Sequence, residues 1–215
     1  MSRTVLVTVG TTKFEALVQA VDSLDVAATL VAKGYTRLVI QKGAGKHQVQ
    51  TLVPAGSQHN QLSNGLQVEV FDFAPSLADY MQAADLIISH AGSGSIFEAL
   101  RLKKPLIAVP NPVLMDNHQA DLADHLARLH HIFAAKPDTL LHTLQQLSIA
   151  ELHPYTSGSA EGIIQHINMV VAQPSHSKLP LLTLTVLLLI VSVAIMYLTL
   201  RAMTWTAHPE SVVPV

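Results

Sequence analysis

The chain of 215 residues contains no cysteine, which excludes a disulfide framework and any metal site built from thiolates. The absence of cysteine also suits a reducing compartment. The sequence has no basic excess either, because 13 lysines and arginines face 15 acidic residues, for a formal net charge of −2. A protein that binds nucleic acid through phosphate contacts normally carries a positive patch, so we expect no nucleic-acid partner.

Three nucleotide and catalytic signatures are missing as well. A phosphate-binding Walker loop fails because Gly45-Lys46 is followed by His47 and position 40 is isoleucine. The dinucleotide fingerprint fails because Phe97 stands where a third small residue is required after Gly92 and Gly94. No Gly-x-Ser-x-Gly nucleophile elbow occurs. The 12 histidines are scattered and do not follow a zinc-protease spacing, so we predict neither a metal site nor a cofactor.

A long apolar segment is present near the end of the chain. Residues 179–200 are 22 residues without a charge, and a helix of that length spans the hydrocarbon core of a bilayer, about 30 Å. A buried core helix is the alternative, although such helices rarely combine this length with all-round apolarity. We therefore predict a globular domain over residues 1–172, a linker over 173–178, a transmembrane helix over 179–200 and a short tail over 201–215. This arrangement is typical of a tail anchor that leaves the globular domain in the cytosol.

Apolar runs and helical periodicities alternate along the first 172 residues. Strands are predicted at 4–9, 37–41, 68–73, 86–88, 106–109 and 132–134, and helices at 14–24, 76–83, 95–102, 117–129, from 137 onward and at 162–171. Residues 54–65 are rich in turn-forming residues and are predicted to be a loop. The alternation predicts an α/β fold with a single Rossmann-like, doubly wound parallel sheet.

Three loops rich in small residues follow predicted strands. They are Gly10 to Thr12, Gly43 to Gly45 and Ala91 to Ser95. Ligands of such sheets bind beyond the carboxyl ends of the strands, so we expect these loops to converge there.

The stretch Ile-Ser-His-Ala-Gly-Ser-Gly-Ser-Ile-Phe-Glu at 88–98 carries the most information. Small residues let a ligand approach the backbone, and the unpaired N–H groups of a helix start attract an anion such as a diphosphate. The alternative is a plain capped turn, because Ser95 and Glu98 have the spacing of a capping box. Residue spacing alone leaves these two interpretations open.

Two other motifs are also ambiguous. Gly10-Thr11-Thr12 is either a plain turn or a turn whose hydroxyls face phosphate. Met115 to Gln119 places Asp116, Asn117, His118 and Gln119 at a helix start, where Asp116 and Gln119 alone would suit a capping box. The same polar cluster has the donors and acceptors that a neutral sugar requires.

Taken together, these motifs resemble glycosyltransferase family 28, specifically the C-terminal half of its enzymes. Within it they resemble the catalytic subunits of the UDP-N-acetylglucosamine (UDP-GlcNAc) transferase of dolichol-linked oligosaccharide synthesis. The resemblance covers roughly residues 3–170. The matching stretches are residues 7–12, 41–45, 88–98, 100–106 and 115–119.

The resemblance implies a role for each matching residue. Gly92, Ser93, Gly94 and Ser95 would hold the diphosphate of UDP-GlcNAc, and Glu98 would accept hydrogen bonds from the ribose hydroxyls. Gly10 and Thr11 would line the cleft, and His90 is the candidate for acid–base catalysis. Asn117, His118 and Gln119 would contact the GlcNAc ring or its phosphate side.

The resemblance also implies a half-enzyme. Such transferases consist of two Rossmann-like domains (the GT-B architecture), invert the anomeric carbon and stabilise the leaving UDP with backbone donors and a helix dipole, without a fixed metal. One domain here means that the acceptor side comes from a membrane-anchored partner subunit, in a hetero-oligomer at the endoplasmic reticulum membrane. The implied reaction is transfer of GlcNAc to GlcNAc-diphosphodolichol. The alternatives are a sugar-nucleotide-binding or scaffolding subunit without catalysis, and a family member that uses another lipid acceptor.

Overall fold

The computed structural model describes residues 2–113, 118–156, 158, 189, 192–193 and 195–197, with only the backbone of His118. The chain divides into two compact units, residues 1–157 and 158–215. The predicted domain boundary after residue 172 and the predicted helix at 162–171 lie outside the described residues.

Seven strands form one sheet in the order β3-β4-β2-β1-β5-β6-β7. All neighbours pair in parallel except β3, which pairs antiparallel to β4 at the edge. The strands are β1 Thr4–Thr8, β2 Arg37–Gln41, β3 His59–Gln61, β4 Gln67–Phe71, β5 Leu86–Ser89, β6 Leu106–Ala108 and β7 Phe133–Ala134. The predicted doubly wound parallel sheet is thus confirmed.

Helices cover both faces of the sheet, as the full burial of its central strands requires. One face packs Val7, Ile40 and Ile88 in a cluster with α1 and α2, and the other packs Leu6, Val39 and Ile87 in a cluster with α4 and α5. The helices are α1 Glu15–Val21, α2 Leu24–Ala32, α3 Ala78–Ala83, α4 Ser93–Arg101, α5 His118–Arg128 and α6 Leu140–Gln146. Short 3₁₀ helices occupy Pro137–Thr139 and Ile149–Glu151.

Two predicted segments differ in the structure. The helix predicted at 14–24 ends at Val21, because Ser23 caps a second helix, α2, by accepting a hydrogen bond from the Asp25 N–H. The loop predicted at 54–65 contains β3, a polar edge strand. Such a strand shows no apolar alternation, since its side chains are largely exposed, and only its hydrogen bonds to β4 define it. A third difference is Leu129, the last residue of the helix predicted at 117–129, which lies just beyond the end of α5 at Arg128 and is 46% exposed.

The predicted membrane segment falls largely outside the described residues. Those that are described within 179–200 (Leu189, Ser192, Val193, Ile195, Met196 and Tyr197) are helical. Among the described residues, no helix combines the length and apolarity needed to cross a membrane.

Candidate functional site

The direction of winding reverses between β1 and β5. From β1 the chain builds outward through β2 to β4, then returns to place β5 on the other side of β1 and continues to β6 and β7. The loops after β1 and β5 therefore diverge at the carboxyl edge, and this switch point, which we call the crevice, is where open α/β sheets bind ligands. The loop after β1 begins at Gly10, and the loop after β5 runs through His90 and Gly92.

Helix α4 begins in the loop after β5, and its first backbone N–H groups are unpaired among the described residues. It begins at Ser93, with Gly92 as N-cap and no side chain capping it. The first hydrogen bond of the helix joins the Ile96 N–H to the Gly92 carbonyl, so the N–H groups of residues 93–95 have no partner within the described chain. The capping box with Ser95 as the cap residue is wrong, because the helix starts two residues earlier. Three free donors at the positive end of the helix dipole can bind an anion.

Glu98 follows one turn later on α4. It lies three and four residues after Ser95 and Gly94, which places it on the same side of the helix. Its side chain is half-buried and makes no hydrogen bond or ion pair with any described residue. A carboxylate without a structural partner beside an anion site can accept hydrogen bonds from ligand hydroxyls.

The imidazole of His90 separates the two loops and is 7% exposed. A Cβ on Gly10 would lie 2.8 Å from His90 Cε1, and a Cβ on Gly92 would overlap Nε2. Gly10 also has a φ of +63°, which other residues rarely adopt. Glycine is therefore required at both positions for the ring to pack between the two backbones. The Nδ1 atom is buried without a hydrogen-bond partner.

The buried imidazole predicts a pH dependence of stability. Burial lowers the pKa of His90 below its ordinary value, while the Thr8 backbone acts in the opposite direction. The unfolded chain then binds this proton more readily than the folded chain. The free energy of unfolding should fall as the pH drops below about 6.5, by at most about 1.4 kcal/mol per pH unit, until the folded pKa is passed. Urea unfolding between pH 8 and 5 measures this slope.

His90→Gln should flatten that slope, whereas His142→Gln, at an exposed position on α6, should leave it unchanged. An identical slope in wild type and His90→Gln would contradict the assignment.

The loops after β1 and β2 contact each other, as predicted, and the loop after β6 also contacts the loop after β1. The Ala44 N–H donates to the Thr12 carbonyl, and the Asn111 side chain donates to the Lys13 carbonyl. The loops after β1, β2 and β6 are therefore in contact at one edge of the sheet. Thr11 is exposed there, with no hydrogen bond to another described residue.

The predicted sugar-contacting residues are only partly described. Asn117 and the side chain of His118 lie outside the described set, and His118 is the first residue of α5. Gln119 lines a cavity of about 690 Å³ between α5 and the carboxyl ends of β6 and β7, and its Oε1 is enclosed without a hydrogen-bond partner among the described residues. Neither the α4 donors nor Glu98 line this cavity, which therefore lies beside the crevice.

Two features of the site were not predicted from the sequence. Ala91 is fully buried with a φ of +63°, a strained conformation for a residue with a Cβ. It lies between His90 and Gly92, the N-cap of α4, so its backbone conformation sets where the helix begins. Gln41 ends β2 with its amide directed at the β1 loop. A polar residue closing the apolar run Leu38-Val39-Ile40 was the available signal.

Comparison with known proteins assigns this geometry to a family. The sequence profile described as "Glycosyltransferase family 28 C-terminal domain" matches residues 4–170, which includes the whole described sheet. An NMR solution structure of ALG13 has a TM-score of 0.57 and 29% sequence identity, and the match covers 77% of this chain and 94% of that one.

Curated relatives agree with this assignment. The "UDP-N-acetylglucosamine transferase subunit ALG13" of Yarrowia lipolytica is 33% identical over 166 residues, which are 76% of this chain and 81% of the relative. The human protein of the same name is 40% identical over 129 residues, or 60% of this chain. The match spans only about a tenth of the human and mouse relatives, 11% and 10% of their lengths. The chain belongs to glycosyltransferase family 28, whose C-terminal domain it contains.

Proposed function

We propose that this chain is the donor-binding half of an N-acetylglucosaminyltransferase that transfers GlcNAc from UDP-GlcNAc to GlcNAc-diphosphodolichol. The observation that carries the proposal is the group of three N–H donors at the start of α4, unpaired among the described residues, on the helix that follows β5 at the switch point of the sheet. Family membership and the names of the relatives, which denote UDP-N-acetylglucosamine transferase subunits, support the same donor.

Different residues of the site would contact different parts of UDP-GlcNAc. The backbone N–H groups of Ser93, Gly94 and Ser95 would hold the diphosphate, and Glu98 would accept hydrogen bonds from the ribose hydroxyls. Negative charge develops on the UDP phosphates as the bond to the anomeric carbon breaks, and fixed backbone donors stabilise that charge without reorganising. Gly10 and Thr11 would line the crevice opposite α4.

The sugar and the proton involve other residues. Asn117, His118 and Gln119 would contact the GlcNAc ring. The acceptor hydroxyl would attack the anomeric carbon with inversion, form the new glycosidic bond and release its proton to a base. His90 is the candidate base on this chain, because burial lowers its pKa and thus favours the neutral ring, which can accept a proton.

The other half of the enzyme would come from a second protein. The described globular unit has one doubly wound sheet, whereas a GT-B enzyme closes two such domains around its substrates. We therefore propose a hetero-oligomer with a membrane-anchored, acceptor-binding subunit. The apolar run at 179–200 would anchor this chain in the endoplasmic reticulum membrane with the sheet facing the cytosol, and raise its effective concentration near the partner and the lipid acceptor. Leu189, Val193, Ile195 and Tyr197 are more than half exposed, as lipid-facing residues would be.

The test is reconstitution. The full chain is purified from membranes together with whatever binds it, and transfer from radiolabelled UDP-GlcNAc to GlcNAc-diphosphodolichol is measured for the complex and for the chain alone. We expect product from the complex and background from the chain alone, because the acceptor side is supplied by the partner.

Full activity from the isolated chain would contradict the half-enzyme proposal. UDP-GlcNAc binding without any transfer by the complex would instead favour a sugar-nucleotide-binding subunit. Transfer of GlcNAc to a different lipid would support the proposed transferase activity but would show that the acceptor is not GlcNAc-diphosphodolichol.

A further inference from the structure

Gln41 is a polar residue at a buried position, where an apolar residue is usual. It ends β2 and is 2% exposed. Its backbone already takes part in the sheet, since its carbonyl accepts a hydrogen bond from the Val9 N–H. A buried amide is unfavourable unless its polar atoms are paired, so the side chain must be explained by its own partners.

The side-chain amide makes four hydrogen bonds. Oε1 accepts from the Thr8 hydroxyl at 2.6 Å and from the Gly10 N–H at 3.0 Å. Nε2 donates to the Gly10 carbonyl at 2.7 Å and to the Asp72 carbonyl at 2.8 Å. A flipped amide would place an oxygen against two carbonyls, so this network has only one workable orientation.

Two of these bonds hold both polar backbone groups of one residue, Gly10. A glycine with a φ of +63° has wide conformational freedom and no side chain to restrict it. The amide of Gln41 supplies that restriction from the neighbouring strand, and the bond to Asp72 ties the same amide to the loop after β4.

The restriction extends across the crevice. Gly10 packs on the Cε1 and Nε2 atoms of the His90 ring, and Gly92, the N-cap of α4, packs on the same two atoms. The backbone of Gly10 therefore sets how deeply the ring lies, and the ring limits where the α4 donors begin.

We infer that Gln41 is a positioning residue for the donor site: it contacts no ligand itself, and it fixes the Gly10 backbone against His90 so that the α4 donors are preorganised. The ligand in this inference rests on the proposed function. Preorganised donors bind more tightly because less freedom is lost on binding.

The test uses the full chain assembled with its partner, with UDP as the probe. Gln41→Leu removes all four hydrogen bonds at similar volume, and Gln41→Glu keeps the two acceptor positions while removing both donors. Asn60→Ala is the matched control, since it breaks a single amide–carbonyl hydrogen bond, to Leu52, on the edge strand β3. UDP affinity is measured by calorimetry, and amide hydrogen exchange of residues 9–13 by mass spectrometry.

Gln41→Leu should weaken UDP binding about 5- to 30-fold, which is the fold-change that corresponds to the roughly 1–2 kcal/mol cost of fixing the backbone of one residue. Exchange at residues 9–13 should become faster, and Asn60→Ala should change neither quantity. Burial beside two carbonyl oxygens favours the protonated form of the carboxyl group that Gln41→Glu introduces. Its O–H can then donate to one carbonyl, so UDP affinity relative to wild type should recover in part as the pH falls. A merely structural defect would not recover in this way.

Normal UDP affinity in a folded Gln41→Leu complex would overturn the inference, as would unchanged exchange at residues 9–13. Where Gln41→Leu fails to fold, Gln41→Glu decides: an affinity equal to that of wild type at every pH overturns the inference. Absence of UDP binding by the wild-type complex is a different result, because it rejects the proposed function. The exchange measurement still tests the hold of Gln41 on Gly10 in that case.

Discussion

Alanine at Gly94 is expected to weaken UDP binding without weakening the fold. A Cβ at this position meets nothing within 4 Å, and alanine favours a helix over glycine by about 0.5–1 kcal/mol, so stability should be unchanged or higher. A bound diphosphate, however, would have to approach this backbone closely. An overlap of one methyl group costs about 1–3 kcal/mol, which corresponds to a loss of about 5- to 150-fold in affinity. Calorimetry with UDP and thermal unfolding measure the two effects separately.

Gly92→Ala is the comparison variant, and both its UDP affinity and its stability should fall. Its Cβ would overlap the His90 ring whether or not a ligand is bound, so stability should fall by about 1–3 kcal/mol together with UDP affinity. Unchanged or improved UDP binding in Gly94→Ala would place the diphosphate elsewhere. A stability loss in Gly94→Ala would contradict the open surroundings of that residue.

Glu98→Gln is expected to have a comparably large effect for a different reason. Hydrogen bonds to a charged group contribute about 1.5–3 kcal/mol, so the loss of the ribose interaction should weaken UDP binding about 10- to 150-fold. The substitution keeps the shape of the side chain, and Glu98 has no described hydrogen-bonding partner to lose. The free energy of unfolding should therefore stay within about 0.5 kcal/mol of wild type. Glu98→Ala, tested in the transfer assay, should abolish activity in a folded protein.

A double-mutant cycle with 2′-deoxy-UDP isolates the ribose contact. Wild type should bind the deoxynucleotide more weakly than UDP, whereas Glu98→Gln should discriminate less between the two. Glu151→Gln, at an exposed carboxylate in the second 3₁₀ helix, is the control and should match wild type throughout. Equal discrimination in Glu98→Gln and wild type would show that this carboxylate does not contact the 2′-hydroxyl of the ribose. Wild-type turnover in Glu98→Ala would remove it from the site altogether.

Much of the architecture could be predicted from local patterns. Continuous apolar runs such as Leu86 to Ile88 predict strands buried on both faces, whereas β4 alternates apolar and polar residues. Six of the seven strands lie where such patterns predict them. The exception, β3, is polar and exposed at the edge, so it carries no apolar signal. The site could be anticipated in part: the loops at Gly10 and Gly92 follow strands, and parallel strands bring their carboxyl ends to one edge.

The exact start of α4 could not be predicted. Ser95 and Glu98 fit a capping box by spacing, yet the helix begins at Ser93 because Ala91 turns the backbone and Gly92 becomes the cap. That choice depends on the room around the buried His90 ring. This room is limited by Gly10, which lies 80 residues earlier in the sequence.

The sequence by itself determined the kinds of elements, their order and the small residues between them, because each depends on a residue's own conformational preferences and those of its near neighbours. Only the tertiary structure decided that Gln41 holds Gly10, that His90 separates two glycines and that the α4 donors remain unpaired. These features join residues distant along the chain, and side-chain hydrogen bonds and close packing across strands leave no local periodicity by which they could be recognised.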